Sequence, residues 1–234
     1  MTKLVLVRHG ESVWNRDNIF TGWTDVDLSC KGTSEAEEAG QLLADNEYVF
    51  DIAFTSMLKR AIGTLWIILE ALGQMGIPIH STWRLNERFY GDLQGRDKAE
   101  TAKEFGDEQV FRWRRGYDVK PPALERTDER YPGRDPRYSD LKEHELPVTE
   151  SLKDAFERFL PYWQKTISPE IASGRRVLIV AHHNILMSLV KWLDRLPDKD
   201  TERLEFPTAV PLIYELDGGM KPVCHFYLKA GNGI

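Results

Sequence analysis

Short runs of aliphatic residues recur along the chain and are separated by longer stretches of helical composition. The first run, Leu4–Val7, contains two valines and no polar residue, which is typical of a strand buried on both faces. The strands predicted in this way are residues 4–7, 50–56, 78–81, 176–181, 211–216 and 223–228, and the helices are residues 33–46, 57–72, 98–105, 149–166 and 184–193. Because strands and helices alternate, the pattern predicts an α/β fold with a mostly parallel central sheet flanked by helices.

The alternation stops between about residues 86 and 147, where polar, proline-bearing sequence replaces it. An insertion of this length inside a compact domain is usually functional or disordered, and its aromatic residues argue against disorder. We therefore expect a lid over the carboxyl ends of the strands. No linker divides residues 1–234, so a single domain is predicted, with the lid inserted at about 86–147. Thr149 is expected to cap the helix that follows the lid.

The composition is that of a globular protein: 234 residues, of which 41% are hydrophobic and 29% charged. A formal net charge of −6 gives no overall attraction for nucleic acid or an anionic membrane, so an anionic substrate must be attracted by a local basic cluster. Cys30 and Cys224 are too few for a disulfide framework and are expected to stay reduced. The first apolar run is too short for a signal peptide, and a cytoplasmic protein is expected.

Two of the predicted strands end in histidine. The first strand is followed by Arg8 and His9, and the strand at residues 176–181 is followed by His182. Parallel strands place their carboxyl ends at one edge of the sheet, where α/β folds bind ligands, so the two histidines can face each other there. A histidine can attack phosphorus through one ring nitrogen, and an arginine offers paired donors to phosphate oxygens. Taken alone, His9 could equally be an ordinary surface histidine.

The sequence around these histidines resembles a known family. The segment Arg8–Glu11 (Arg-His-Gly-Glu), together with the later Ala181-His182, resembles the histidine phosphatase superfamily. The longer segments Arg8–Asn15 and Phe20–Ser29 resemble the cofactor-dependent phosphoglycerate mutases, and the resemblance extends over nearly the whole chain. It implies an isomerase of glycolysis and gluconeogenesis that interconverts 3-phosphoglycerate and 2-phosphoglycerate through a phosphohistidine.

The same resemblance implies the ligands and the assembly of the protein. Small phosphoglycerates would be its partners, 2,3-bisphosphoglycerate would prime it with a phosphoryl group, and no metal would be needed. The family is commonly homodimeric or homotetrameric. Trp66–Ile68 together with Ile77 and Ile79 could supply an apolar contact between copies, although these residues could equally belong to the core.

The resemblance also assigns catalytic roles. His9 would be the nucleophile that carries the phosphoryl group, and His182 would stabilise that group from the opposite side. Arg8 and Arg60 would bind the same phosphoryl group. Arg60 follows a strand end, where a helix N-terminus favours negative charge; without the motif it would be interpreted as part of a solvated helix face. Glu87 is the candidate general acid or base for the hydroxyl that leaves or attacks.

A second set of residues is expected to bind the remainder of the substrate. Arg114 and Arg115, with Lys98 and Tyr90, resemble the part of the mutase lid that binds the substrate carboxylate, although the two arginines could instead form weak surface ion pairs. The further residues expected to bind substrate are Ser12, Asn15, Thr21, Gly22, His183 and Asn184. A simple phosphatase need not carry the arginine pair, so the cluster favours a mutase.

Several positions depart from the mutase pattern. His183 stands where the mutases usually have glycine, and Phe89 where they commonly have histidine; Ile185 and Met187 also differ. The sequence ends soon after Leu228, whereas many mutases have a longer tail that helps to exclude water from the pocket. These features suggest an alternative, a phosphatase or bisphosphoglycerate mutase/phosphatase of the same superfamily. A third hypothesis is a catalytically weak scaffold that binds phosphorylated ligands.

Overall fold

The computed structural model describes residues 1–201 and 204–229, and a six-stranded sheet forms its centre. The strands are β1 (Thr2–Arg8), β2 (Ile52–Thr55), β3 (Ile79–Ser81), β4 (Val177–Ala181), β5 (Leu212–Leu216) and β6 (Pro222–Tyr227). Their order across the sheet is β3-β2-β4-β1-β5-β6. From β3 to β1 the strands run parallel, whereas β5 and β6 are antiparallel to their neighbours. The predicted α/β fold with a mostly parallel sheet is confirmed.

Helices occupy most of the connections between the strands. They are α1 (Val13–Arg16), α2 (Cys30–Asp45), α3 (Lys59–Ala71), α4 (Lys98–Phe105), α5 (Asp107–Arg115), α6 (Leu152–Tyr162), α7 (Ser168–Ala172), α8 (His183–Asp194) and α9 (Asp198–Thr201). A π-helical turn, Trp163–Ile167, joins α6 to α7. In the part of the chain that the structure describes, every helix is too short or too polar to cross a bilayer.

Two helix starts differ by three residues from the predicted ones, and in both cases a serine caps the helix. Ser29 accepts a hydrogen bond from the N–H of Gly32, so α2 begins at Cys30, three residues earlier than predicted. The prediction that Thr149 caps the helix after the lid, α6, is wrong, because the hydroxyl of Thr149 donates to the carbonyl of Pro121. Ser151 is the cap of α6, where it forms a reciprocal capping box with Asp154.

Helix α5, in the lid, was not predicted. Only Val110 and Trp113 are buried in it, so the sequence lacks the longer apolar repeat by which a helix is recognised. Acidic residues in its first turn and arginines in its last turn complement the helix dipole. This helix carries Arg114 and Arg115 at its C-terminal end.

The core lies on both faces of the sheet, as the unbroken aliphatic run of β1 predicts. Leu4 and Leu6 pack with α6 and α8 on one face. Val5 and Val7 pack with α2 and α3 on the other. Successive side chains of a strand point to opposite faces, so a strand covered by helices on both sides must be apolar at every position.

The apolar residues considered for a contact between copies divide between core and surface. Ile68 is fully buried in the core between the sheet and α3. Ile77 and Ile79 are half-buried at the edge of that core. Trp66 on α3 is 43% exposed and leaves an aromatic ring on the surface. Only Trp66 among them is therefore clearly a surface residue.

The segment predicted as a lid has its own small cores. Phe89 lies fully buried in an aromatic cluster with Trp23, Tyr131 and Tyr138, and Trp23 comes from the loop that follows α1. A second cluster joins Phe20 of the same loop to Val110, Trp113 and Leu93. The segment is thus packed against the loop after β1, which places both at the carboxyl end of that strand.

We predict that a methyl group at Gly32 destabilises the fold, whereas one at Gly63 does not. A Cβ at Gly32 would lie 1.9 Å from the carbonyl oxygen of Glu11, and backbone cannot move aside as a side chain can. Gly32→Ala should therefore lower the free energy of unfolding by about 1–3 kcal/mol. At Gly63, inside α3, the nearest atom is 3.6 Å away, so Gly63→Ala should raise it by about 0.5–1 kcal/mol.

The measurement is urea unfolding of both variants beside the wild-type protein. Equal stability of Gly32→Ala and the wild type would contradict the close approach of the β1–α1 loop to the first turn of α2.

Candidate active site

The parallel pairing of β1 with β4 brings the two predicted catalytic histidines together. Arg8 lies opposite Ala181 in the register, and the N–H of His9 donates to the carbonyl of Ala181 at 3.0 Å. The imidazole rings of His9 and His182 therefore lie side by side, with centroids 4.9 Å apart and planes inclined by 60°. Both side chains are buried. The juxtaposition predicted from the two strand ends is present.

His9 is held as a neutral imidazole with one defined tautomer. Its Nδ1 lies 2.7 Å from the carbonyl oxygen of Gly10, which can only accept, so Nδ1 carries the proton. Nε2 therefore keeps its lone pair. Burial, and then the charges of Arg60 and Arg8, lower the pKa of His9 well below its ordinary value of 6.5. A neutral imidazole with Nε2 unprotonated is the form that can attack phosphorus.

Ser56 holds the ring of His182 by a hydrogen bond. Its hydroxyl accepts the N–H of Leu58 at 3.1 Å and lies 2.8 Å from His182 Nε2. When Ser56 donates its hydrogen to Nε2, the proton of His182 lies on Nδ1, a buried atom without a hydrogen-bond partner among residues 1–201 and 204–229. Burial, followed by the charges of Arg60 and His9, lowers the pKa of His182 well below 6.5.

Ser56 was not among the residues predicted from sequence, although a signal for it existed. It directly follows β2, just as His9 follows β1 and His182 follows β4. The three strands are neighbours in the sheet, in the order β2-β4-β1. A polar residue at the end of a third parallel strand therefore belongs to the same edge.

Two arginines flank the histidines, Arg60 buried and Arg8 partly buried. Arg60 is 1% exposed and donates to the carbonyls of Gly22 and Thr24 at 2.8 and 2.9 Å, so the interpretation as a solvated helix face is wrong. Burial lowers the pKa of Arg60 to about 10, which leaves it charged at neutral pH. Arg8 donates through Nη1 to the carbonyl of Phe206 at 2.8 Å, while its Nε has no partner in the described parts of the chain.

These groups border a cavity of about 180 Å³. It is lined by Arg8, His9, Asn15, Ile19, Phe20, Thr21, Gly22, Arg60, Glu87, Tyr90, Lys98, Arg114, Arg115, His183, Asn184 and Glu205. Five of the lining residues are cationic and two are carboxylates, so the cavity is locally positive in a chain whose net charge is −6. Such a cluster is what an anionic substrate requires.

Two predicted site residues lie outside the lining. His182 is fully buried against His9. Ser12 is also fully buried; its Oγ accepts the N–H of Asn15 and caps α1, while the Asn15 side chain accepts the N–H of Ser12. Ser12 therefore holds the backbone of Asn15, which does line the cavity.

Glu87 is fixed both at its carboxylate and at its backbone. Oε1 accepts the N–H of Arg88 at 2.7 Å, and Oε2 lies 3.5 Å from the N–H of Asn184 at the start of α8. Its carbonyl accepts the indole N–H of Trp23 at 2.5 Å and a guanidinium N–H of Arg158 at 3.3 Å. Glu87 is 7% exposed, so burial and these hydrogen bonds hold its carboxyl group in one position at the cavity.

Arg158 attaches this segment to α6. It donates to the backbone carbonyls of Trp83, Arg84 and Asn86 at 2.9–3.1 Å. Its charge is paired with Glu150 at 2.7 Å, and each of the two side chains is only 6% exposed. A buried pair of this kind is costly to break because either partner alone would be an unpaired buried charge. The ion pair therefore helps to hold Glu87 in place.

The residues predicted to bind a second part of the substrate form a connected group. Arg88, fully buried and not predicted, donates to the hydroxyl of Tyr90 at 2.8 Å and to the carbonyl of Arg114 at 2.9 Å. The Asn184 amide donates to the same hydroxyl at 3.3 Å. Burial, and then the charge of Arg114, lower the pKa of Lys98 to about 8.

Arg115 is engaged by the chain itself. Its Nη2 lies 2.6 Å from Glu205 Oε1, and its Nη1 lies 3.3 Å from His183 Nε2, which accepts. Burial, and then the charges of Arg8 and Arg115, lower the pKa of His183 to about 3. Glu205 was not predicted, since it comes from a polar segment before β5 that carries no motif.

The four departures from the mutase pattern have different structural roles. Phe89 packs edge-on against Trp23 in the lid, with ring centroids 5.8 Å apart. Ile185 and Met187 are buried on α8. Of the four, only His183 lines the cavity, so it alone can contact a substrate directly.

Within residues 1–201 and 204–229, no three His, Cys, Asp or Glu side chains are grouped so that they could hold a metal ion. Both cysteines are free and exposed.

Comparisons with known proteins give the family and the fold. The model of a family described as the histidine phosphatase superfamily (branch 1) matches residues 4–131. A mycobacterial glucosyl-3-phosphoglycerate phosphatase, solved with VO3, is 23% identical, with 92% of this chain and 93% of that one covered and a TM-score of 0.67. The alpha-ribazole phosphatase of Shigella flexneri is 20% identical, with 99% and 98% covered and a TM-score of 0.72.

A third solved structure, Bacillus stearothermophilus YhfR, is 24% identical, with 100% of this chain and 98% of that chain covered and a TM-score of 0.70. At these identities the solved structures show that the fold is shared.

We predict that acid weakens the fold through the site histidines. The unfolded chain binds a proton at each histidine near pH 6.5, whereas folded His9, His182 and His183 bind theirs only at much lower pH, which for His183 is about 3. The contribution of these three histidines to the free energy of unfolding is therefore fully present above pH 6.5. Below it, the free energy of unfolding should fall by up to about 1.4 kcal/mol per pH unit for each histidine.

Urea unfolding at pH 7.5, 6 and 5 measures this slope. His183→Gln should make it shallower by up to about 1.4 kcal/mol per pH unit, because one depressed pKa is removed. His144→Gln, at an exposed position in the lid, is the control and should leave the slope unchanged. An identical slope in the wild type and His183→Gln would contradict the burial of a neutral His183.

Proposed function

The chain belongs to the histidine phosphatase superfamily (branch 1), and from this premise we propose that it transfers phosphoryl groups through a phosphohistidine at His9. The observation that carries the proposal is the state of His9, whose Nδ1 proton is held by Gly10 while Nε2 stays unprotonated. Arg8 and Arg60 border the same cavity and supply positive charge where the phosphoryl oxygens must lie.

In the proposed first step, His9 Nε2 attacks the phosphorus of a phosphate ester. The N–P bond forms as the ester P–O bond breaks, and protonated Glu87 gives its proton to the leaving oxygen. Arg8, Arg60 and the Nδ1–H of His182 stabilise the charge on the phosphoryl oxygens. In the second step a hydroxyl group attacks phosphorus, the Glu87 carboxylate takes its proton, and the N–P bond breaks to return neutral His9.

The substrate class follows from the second group of cations. Lys98, Arg114 and Arg115 line the cavity together with the hydroxyl of Tyr90. A single phosphoryl group bound by Arg8 and Arg60 would not need them. We therefore propose a small phosphate ester with a second anionic group, the class to which 3-phosphoglycerate and 2-phosphoglycerate belong.

Interconversion of these two phosphoglycerates is the function that the site supports best. The primer, 2,3-bisphosphoglycerate, carries three anionic groups, which suits a cavity lined by five cations. When bound, it would supply the phosphoryl group that first charges His9. The residues of this chain would hold its phosphate beside His9 and its other anionic groups at Lys98, Arg114 and Arg115. The proposed cytoplasmic location and homodimeric or homotetrameric state remain predictions.

Hydrolysis of phospho-His9 is the second candidate, and the comparisons favour it over the mutase. Two of the solved structures described above are named as phosphatases. In this chain the guanidinium of Arg115 already forms hydrogen bonds with His183 and Glu205. The second anionic group of a substrate is therefore held less firmly than it would be by an unpaired Arg115. If the product leaves before it can be phosphorylated again, water is the remaining acceptor of the phosphoryl group.

We predict that His9→Ala lowers phosphoryl transfer at least about a thousandfold, because the nucleophile is removed. The protein is incubated with 3-phosphoglycerate and a trace of 2,3-bisphosphoglycerate, and 2-phosphoglycerate, free phosphate and phosphoenzyme are followed. Fast isomerisation with little phosphate is expected for a mutase, whereas phosphate alone would identify a phosphatase. Undiminished turnover in His9→Ala would contradict both the mutase and the phosphatase proposals. If the wild-type protein showed neither turnover nor a phosphoenzyme, only the hypothesis of a scaffold that binds phosphorylated ligands would remain.

We also predict that the KM for 3-phosphoglycerate depends on the charge of Lys98. Its pKa of about 8 means that the cation is present at pH 7 and largely lost by pH 9. The KM should therefore rise by up to about tenfold between pH 7.5 and 9, with a smaller change in kcat. Lys98→Arg keeps its charge in this range and should flatten the rise. An equal rise in both proteins would assign the effect to another group.

A further inference from the structure

Among the charged residues that line the cavity, Glu205 is the one without a role in the proposed phosphoryl-transfer steps or in holding the substrate. We propose that its carboxylate competes with the second anionic group of the substrate for Arg115, and so sets how strongly the cavity prefers ligands with two anionic groups over ligands with one. This inference rests on the proposed function and concerns the specificity of the same site.

The contacts of Arg115 carry the argument. The carboxylate of Glu205 accepts a hydrogen bond from Nη2 at 2.6 Å. Nη1 lies 3.3 Å from both the carbonyl oxygen of Leu204 and Nε2 of His183. The Arg115 side chain is 18% exposed. A carboxylate or phosphate from a ligand would bind best to a guanidinium through two parallel hydrogen bonds. The ligand can use Nη2 in that way only if Glu205 leaves it.

The backbone around Glu205 is anchored to the site. The hydroxyl of Tyr227 donates to the Glu205 carbonyl at 3.1 Å. The next residue, Phe206, accepts from Arg8 Nη1 at 2.8 Å, and the N–H of Ala209 donates to the Arg8 carbonyl at 2.8 Å. The carboxylate is thus attached beside Arg115 by contacts that involve the strand carrying His9.

The side chain of Glu205, by contrast, can move at low cost. It is 72% exposed, so water can solvate the carboxylate when it leaves Arg115. The other lining carboxylate, Glu87, is 7% exposed and accepts backbone N–H groups, which fixes it. Glu205 is therefore the carboxylate of this cavity that a ligand can displace.

The consequence is a selective penalty. A ligand with one phosphoryl group binds at Arg8 and Arg60 and need not disturb Arg115. A ligand with a second anionic group must displace Glu205 and loses part of its binding free energy in doing so. Removing the charge of Glu205 should favour the second kind of ligand over the first.

The test uses two unreactive probes, methylphosphonate with one anionic group and 3-phosphonopropionate with two, and measures their Kd by calorimetry. Glu205→Gln should lower the Kd of 3-phosphonopropionate about two- to fivefold, the range of a partly exposed ion pair, and change that of methylphosphonate less. Glu143→Gln is the control, since Glu143 pairs with Arg126 in the lid and is 77% exposed. It should leave both Kd values unchanged.

Each other result counts against the inference. An equal fall in the Kd of both probes for Glu205→Gln would show a general effect of charge. A higher Kd of 3-phosphonopropionate would show that Glu205 orients Arg115 for the ligand. Unchanged Kd values would show that no competition exists, yet would leave the proposed function standing. A wild-type protein that binds neither probe would overturn this inference and the proposed function together.

Discussion

The site depends on the hydrogen-bonded register between β1 and β4. Because Arg8 pairs with Ala181, the residues that follow, His9 and His182, leave the sheet at the same height and on the same edge. A slip of one residue would turn each side chain of β1 to the opposite face, so that leucines would have to fit the space packed around valines and valines the space packed around leucines. The close packing of the core therefore helps to set the relative position of the two imidazole rings.

The second feature is how the chain keeps positive charge available in a buried place. Arg60 and Arg8 are satisfied largely by backbone carbonyls of Gly22, Thr24 and Phe206, which accept hydrogen bonds without cancelling charge. The cost is desolvation, visible as the lowered pKa of Arg60. Burial and the same charges lower the pKa of His9 and keep it neutral, so one arrangement suits both the proposed nucleophile and an anionic substrate.

Arg115, in contrast, is paired with a carboxylate. Its guanidinium is paired with Glu205 and contacts His183, so its charge is partly neutralised before any ligand arrives. This contrast bears on the proposed function, because a mutase must hold its substrate long enough to phosphorylate it again, whereas a phosphatase need not. Under that proposal, Arg8, His9 and Arg60 would form the phosphoenzyme, and the contacts of Arg115 would influence its fate.

Much of this was determined by the sequence alone. Unbroken aliphatic runs predict buried strands, and a histidine after each of two such strands predicts one edge of the sheet that carries both histidines, because parallel strands share their direction. Local spacing could not indicate α5, whose apolar face has only Val110 and Trp113, or the cap at Ser151 in place of Thr149.

Only the tertiary structure decided which side chains complete the cavity. Glu205 reaches the site from a segment far from His9 in the chain, and Phe89 packs in an aromatic cluster instead. Such contacts depend on how elements pack against one another, which no local pattern of residues encodes.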